Sequence, residues 1–279
     1  MIKHSTITVL FIMGLIAGPA GPPSCEDIVN TASTIAGTPG GSSSALSEAD
    51  IVEGLKTALR VGTDSSVSIT SRIDGFYRDE AIKILLPPEA DIIYENKDKA
   101  LVKALGIDQK IEETVMALNR AAEDAAKEAA PIFKNAIMSM SISDGWAILK
   151  GRNPAISSSS ESFDSTAATG YLHSTTRDQL RDAFAPKVNA SLDKKLVGNL
   201  SPNQIWNSLS SSYNNVADKS FGMVKPMDNT DLGKYVTEKA LDGLFLKVAE
   251  EEIKIRRDPW AWAKTSVGNI LAKVFGNKG

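Results

Sequence analysis

The chain holds two histidines and one cysteine in 279 residues, so chemistry that needs either residue has few places to occur. His4 and Cys25 sit near the N-terminus, which leaves His173 alone in the body. No His-x-x-x-His, Glu-x-x-His or Cys-x-x-Cys spacing is present, so zinc, haem and iron–sulfur centres lack their usual ligand sets. A Gly-x-Ser-x-Gly elbow, a phosphate-cradling glycine loop ending in Lys-Ser/Thr and a dinucleotide fingerprint are absent too. One Ser-x-x-Lys spacing runs from Ser191 to Lys194. Serine and lysine are common enough here for that to arise by chance, and its companion motifs are missing. The residues therefore predict no metal, no cofactor and no assembled catalytic set.

What remains is carboxylates, arginine and one imidazole. Asn119-Arg120-Ala-Ala-Glu123-Asp124 places acids beside a guanidinium. Asn119, Glu123 and Lys127 share one helical face, which ordinary surface pairing explains. Arg120 suits a buried ion pair between helices, a structural role favoured over catalysis. His173, in Gly-Tyr-Leu-His-Ser-Thr-Thr, needs a partner and a cleft to act as a general base. A surface or capping place is the plainer reading. Arg120, Glu123 and His173 are thus the candidate binding residues. Glu250-Glu251-Glu252 resembles a cation site, but consecutive helical residues point about 100° apart and do not converge on one ion. Surface pairs Glu250–Lys254 and Glu252–Arg256 account for them.

The first 25 residues carry an address. Lys3 and His4 precede an apolar run over 7–17, too short to span a bilayer as a stable helix, then small and turn-forming residues and Cys25. The pattern predicts an exported protein with a signal peptide at 1–24, free or tethered beyond the cytoplasmic membrane, which in a bacterium is the periplasm or the cell envelope. Two cleavage readings stand. One cuts after Ala20; the other makes Cys25 a lipid attachment site, although Pro22 stands where a lipoprotein signal normally has Leu, Val or Ile. With a single cysteine no disulfide can form within the chain.

Charge is unevenly spread. Residues 253–279 hold six basic groups and one acid, whereas 25–252 hold 24 basic and 33 acidic residues. An acidic body argues against nucleic-acid binding, which needs a broad basic surface. The basic tail, with Trp260 and Trp262 beside Lys264, is either a membrane-surface anchor or an amphipathic helix packed on the body.

The elements that must position these groups are helical. Residues 25–46 read as a flexible tether and 47–279 as one all-α domain, a single-domain bundle of packed helices. Ser47 with Asp50, Ser141 with Asp144, and Ser201-Pro202 with Gln204 mark helix starts. Gly62 is expected to interrupt or end the first helix, and 82–86 is extended before Pro87-Pro88. One helix is expected from about 88 to 105. Over 108–140 apolar residues recur every three or four positions, with alanine in the middle, predicting one long helix bent at Pro131. A serine-rich stretch at 152–165 reads as a mobile loop. Helices are then expected from Thr166, again from Thr175 until Pro186 breaks the run, over about 230–257, and as a basic amphipathic helix at 259–275.

Several strings match a known pattern in order: Leu55-Lys-Thr-Ala-Leu-Arg-Val-Gly62, Asp74-Gly-Phe-Tyr, Ile82-Lys-Ile-Leu-Leu-Pro87, Met116-Ala-Leu-Asn-Arg-Ala-Ala-Glu123, Ala147-Ile-Leu-Lys-Gly151, Ala167-Ala-Thr-Gly-Tyr171, Tyr235-Val-Thr-Glu-Lys-Ala-Leu-Asp-Gly-Leu-Phe245 and Glu250-Glu-Glu-Ile-Lys-Ile-Arg-Arg-Asp-Pro259. The chain resembles an uncharacterised bacterial family, domain of unknown function 4197, over about 46–275. The resemblance implies an exported helical protein and brings no activity with it. The serine-rich stretch between Gly151 and Ala167 is longer than the family pattern. The expected role is a non-enzymatic binding or scaffold module, with an envelope protein or a small apolar ligand as partner. The alternative is an envelope enzyme using carboxylates with Arg120 or His173.

Overall fold

Helix α1 (Glu48–Ser71) opens on a capping box, in which the Ser47 hydroxyl accepts the Asp50 N–H and the Asp50 carboxylate reaches back to the Ser47 N–H. Ser141 and Ser201 start α6 (Ile142–Leu149) and α8 (Pro202–Lys219) in the same way. The computed structural model describes residues 47–104, 106–156, 162–195, 199–228 and 230–258. The leader expected at 1–24, the tether expected at 25–46 with Cys25, and the helix expected at 259–275 with Trp260 and Trp262 lie outside the described residues. Among the described residues the fold is all-α, with nine α-helices and no strand.

The remaining helices are α2 (Asp91–Asn96), preceded by a 3₁₀ turn Pro88–Ala90, then α3 (Ala100–Lys103), α4 (Ile107–Ala126), α5 (Ala129–Ser139), α7 (Ala167–Leu192) and α9 (Leu232–Arg257). Helix α4 is the axis: α1, α7, α8 and α9 all pack against it. Its alanines make that possible. Ala117, Ala121, Ala122, Ala125 and Ala126 are fully buried, and short side chains let neighbouring helices approach closely. The large core groups lie around this stripe, with the Phe133 and Phe245 rings meeting edge to face at 5.7 Å.

Four expected helix boundaries are corrected. Gly62 does not end α1; a Cβ there would lie 3.2 Å from Ile255 Cδ1, so the glycine lets α9 pack close while the helix runs through it. The single helix expected over 88–105 is three short pieces. Asn96 Nδ2 bonds both the Ile92 carbonyl and the Tyr213 hydroxyl, fastening α2 to α8, and the backbone turns extended at Lys99. The helix expected over 108–140 is α4 and α5. Pro131 lacks an N–H and its ring excludes the Lys127 carbonyl, so the chain breaks at 127–128 and restarts with Pro131 in the first turn. The apolar seam survives the break, because Ile111, Val115, Leu118, Ala122, Ala125, Ala129 and Ile132 are all buried.

The fourth correction is α7, one helix where two were expected. Thr175 caps nothing and donates its hydroxyl to the Tyr171 carbonyl inside the helix. Pro186 sits on the exposed side, where water can serve the Asp182 carbonyl it strands, while Phe184, Val188 and Leu192 hold the buried side. The serine-rich loop has fixed ends: the Asp164 N–H bonds the Gly151 carbonyl, and Asn153 is buried. Residues 157–161 lie outside the described residues.

The alanine stripe gives a direct check. Ala125→Leu should cost about 1–3 kcal/mol, because extra methylenes in a filled core force side chains off their rotamers. Met138→Ala, at a side chain 65 % exposed, should cost less than about 0.5 kcal/mol. Urea unfolding followed by circular dichroism measures both. Equal midpoints would show that α4 is not a packed axis.

Candidate functional site

Helix α4 carries a polar seam beside its alanine stripe, and it is buried. Asn119 is fully buried and Glu123 is 4 % exposed, which corrects the expected surface pairing of Asn119, Glu123 and Lys127. Only Lys127 is on the surface, pairing with Asp124 at 3.1 Å. Glu123 Oε1 accepts the backbone N–H groups of Phe76 and Tyr77 at 3.1 and 3.2 Å, while Oε2 accepts from Arg120 at 2.6 Å. Arg120 reaches on to Asp74 Oδ1, also at 2.6 Å. Its partner across the fold is therefore a turn rather than a second helix. The Arg120 bond, working against burial, holds the Asp74 carboxyl below its ordinary range. Asp74 itself takes a left-handed conformation, at φ 65°, a region Asp tolerates better than most residues. Arg120 and Glu123 thus fasten the turn after α1.

Asn119 does the same for the extended segment that follows. Its Oδ1 accepts the Ile84 N–H at 2.9 Å and its Nδ2 donates to the Ile84 carbonyl at 2.8 Å, as a neighbouring strand would. Ile82, Ile84 and Leu86 are buried; Leu85, between them, is 57 % exposed. In extended backbone the polar groups of residues 83 and 85 point away from those of 84. From α9 the Tyr235 hydroxyl reaches the end of this segment, within 3.1 Å of the Leu85 carbonyl and 3.2 Å of the Leu86 carbonyl. The Leu85 N–H makes no hydrogen bond among the described residues.

This edge borders an open groove of about 420 Å³ between residues 81–88 and α9. Leu85 and Leu246 supply exposed apolar surface, with Lys83, Lys239, Asp91 and Asp242 also lining it. Gly243 sets the depth of its wall: a Cβ there would come within 2.6 Å of Phe76 Cε1 and 3.1 Å of Ile82 Cβ. None of the groove residues was singled out for function in the sequence. The available signal was an apolar extended run whose middle residue, Leu85, falls on the outward side.

The other candidates stand apart from this seam. His173 lies on α7, its ring 4.8 Å from that of Phe245 and its Nε2 3.2 Å from Arg177 Nη1. Burial first, then the Arg177 charge, push the imidazole below its ordinary value. Arg177 and Arg181 bridge α7 to Glu238 and Asp242 of α9. No hydrogen bond or ion pair among the described residues joins His173 to Arg120 or Glu123. The three glutamates diverge as their spacing requires; the expected Glu252–Arg256 pair is present, and the expected Glu250–Lys254 pair is corrected. Glu250 pairs with Lys247 and Glu251 with Lys254. Glu252 is no surface group: 5 % exposed, it pairs with Arg256 and accepts the Ala168 and Thr169 N–H groups, capping α7 from outside. Among the described residues no group of His, Cys, Asp and Glu could hold a metal ion.

Ser191 and Lys194 do meet, on one acid. Both donate to Asp124 Oδ2 at 2.5 Å, linking α7 to α4. Serine and lysine are thus both engaged by the Asp124 carboxylate, the arrangement of a cross-link between helices rather than of a nucleophile beside its base. Burial opposes the Asp124 charge, but hydrogen bonds from Lys194, Ser191 and Lys127 outweigh it and hold the carboxyl far below its ordinary 3.8. A depressed folded-state pKa stabilises above the unfolded value and is lost as pH falls through the folded one. Asp124→Asn should therefore be less stable than the parent at pH 7. The gap should shrink progressively once pH drops below about 4. Urea midpoints across pH 2–7 measure it, and a constant gap would remove Asp124 as an ionised cross-link.

Comparison with known proteins bears on the whole chain. No curated protein and no solved structure gives a significant match. One family model, described as Protein of unknown function (DUF4197), matches residues 45–276, which takes in every helix above and extends past the last described residue. The chain belongs to this family of unknown function.

Proposed function

We propose that the chain is an exported protein of the bacterial envelope that acts as a non-enzymatic binding or scaffold module, and that its binding surface is the groove between residues 81–88 and α9. The N-terminal pattern of basic start, short apolar run and small residues supports the export reading. The groove reading rests on Leu85. Its side chain is exposed and its N–H makes no hydrogen bond among the described residues, on a segment clamped from behind by Asn119. An extended peptide laid along this edge would gain a main-chain hydrogen bond and bury apolar side chains against Leu85 and Leu246, the mode of strand addition. An open groove lined by two lysines and two aspartates suits a peptide of another envelope protein better than a small apolar ligand, which prefers an enclosed pocket. The enzyme alternative would need Arg120 or His173 beside a carboxylate free to exchange a proton. Both Glu123 oxygens are already bonded, and Arg120 bridges two acids.

Panning a random heptapeptide library against the protein tests this reading. Selected peptides should carry apolar residues at alternate positions, and Leu85→Asp and Leu246→Asp should each weaken them at least tenfold with the helical spectrum unchanged. Peptides whose affinity neither substitution alters would place binding elsewhere and contradict the groove.

A further inference from the structure

The loop between α8 and α9 displays a phenyl ring in solvent. Phe221 is 97 % exposed and Met223 is 65 % exposed, with Gly222 between them. Phe221 has φ 50° and Gly222 φ 87°, both in the left-handed region. Glycine adopts that region freely and a bulky aromatic residue does not, so the ring is held outward against a local cost.

The rest of the loop is fastened down. The Ser220 side chain is fully buried; its hydroxyl accepts the Val224 N–H at 2.9 Å and lies 2.7 Å from the Ala217 carbonyl to which it donates. The Asn214 amide closes on both backbone groups of Met227, at 2.8 and 3.2 Å, and Val224 and Met227 are buried in the core. A connector pinned so firmly could have turned its large apolar residues inward, yet Phe221 and Met223 remain at the tip.

Charge gathers at the foot of this finger. Lys99 Nζ donates to the Met223 carbonyl at 2.6 Å, bringing the α2–α3 junction against the loop. The two segments that meet there, 97–103 and 218–225, hold five lysines (Lys97, Lys99, Lys103, Lys219 and Lys225) against two aspartates. All five lysines lie in exposed positions. Over residues 25–252 acids outnumber bases by 33 to 24, so this end departs from the sign of the body.

An exposed aromatic and a methionine on a rigid turn, with exposed lysines in the two segments that meet at its base, match the chemistry of an anionic bilayer surface. The apolar tip enters the boundary of headgroups and acyl chains, and the lysines stay at phosphate level. We infer that the Phe221-Gly222-Met223 finger is a membrane-contact site that inserts into anionic lipid, with Lys97, Lys99, Lys103, Lys219 and Lys225 facing the headgroups. No described helix is long and apolar enough to cross a membrane, so this contact lies on the surface of the bilayer. It involves a different part of the molecule from the groove and stands or falls apart from it. It is also separate from Cys25 and from the tail with Trp260 and Trp262, and its test must read the finger itself.

A polarity-sensitive fluorophore on Met223→Cys, in the full chain as cells produce it and with Cys25→Ser to keep labelling unique, reads that position alone. Vesicles of phosphatidylglycerol and phosphatidylcholine should shift its emission to the blue, and bromine-labelled acyl chains should quench it. Both effects should weaken in high salt and be far smaller on phosphatidylcholine alone, because the lysines act within a Debye length of about 8 Å at physiological salt. Adding Phe221→Asp should reduce vesicle binding read at this probe at least tenfold. The melting temperature should not fall, since the ring is in solvent and Asp accepts the left-handed conformation more readily. Vesicle binding without quenching at 223 would assign membrane contact to the leader or the tail and overturn the inference. So would quenching that survives Phe221→Asp, or a probe that responds to envelope proteins but not to vesicles.

Discussion

A buried carboxylate on the central helix holds the turn after α1 in place. Glu123 is almost without solvent and accepts three hydrogen bonds, two from backbone N–H groups of the turn after α1 and one from Arg120. A carboxylate taken from water is costly unless its lone pairs are met, and here each oxygen has its donors. The carboxylate is in turn the acceptor that the turn needs, since its N–H groups would otherwise lie in the protein interior without partners. Asn119, one helical turn earlier, repeats the arrangement with Ile84. Fourteen residues lie between Arg72, the C-cap of α1, and Pro87, the N-cap of the next helical turn, and three side chains of α4, Asn119, Arg120 and Glu123, fix their course. The groove exists because of that course.

The helices were legible in the sequence where the deciding forces are local. Ser47, Ser141 and Ser201 each announce a helix because a hydroxyl three residues before a backbone N–H needs no distant partner. The seam through Ile111, Val115, Leu118 and Ala122 was legible for the same reason, since periodicity needs only burial of one face. Where packing decides, the sequence misled. Gly62 and Pro186 look like breaks, yet one sits under Ile255 and the other on a solvent face of a helix held by Phe184 and Val188. Pro131 was visible as a disturbance, but a bend and a break look alike until the neighbouring turns are in place.

The polar residues were harder to read, for a physical reason. Asn119, Glu123 and Lys127 at four-residue spacing look like a surface row whether or not two of them are buried. What buries them is the 72–87 segment, brought over α4 from 35 to 47 residues away, and spacing within one helix holds no trace of it. Glu252 was misread likewise, because the α7 N-terminus it caps lies 83 and 84 residues earlier. His173 and Arg120 carried equal weight in the sequence and have different surroundings in the fold. One flanks an ion ladder between α7 and α9, and the other, on α4, is locked onto the turn after α1.

Native-state amide exchange at two neighbouring residues tests the account most directly. Asn119 closes on the Ile84 N–H, whereas the N–H of Leu85, a groove-lining residue one position on, has no partner among the described residues. Resolved by NMR, Ile84 should exchange as slowly as buried helical amides of α4 and Leu85 at the rate of an open loop. Asn119→Ala should raise the Ile84 rate by at least a hundredfold without altering Leu85. Equal exchange at the two positions in the parent chain would contradict the clamp, and with it the groove as a built surface.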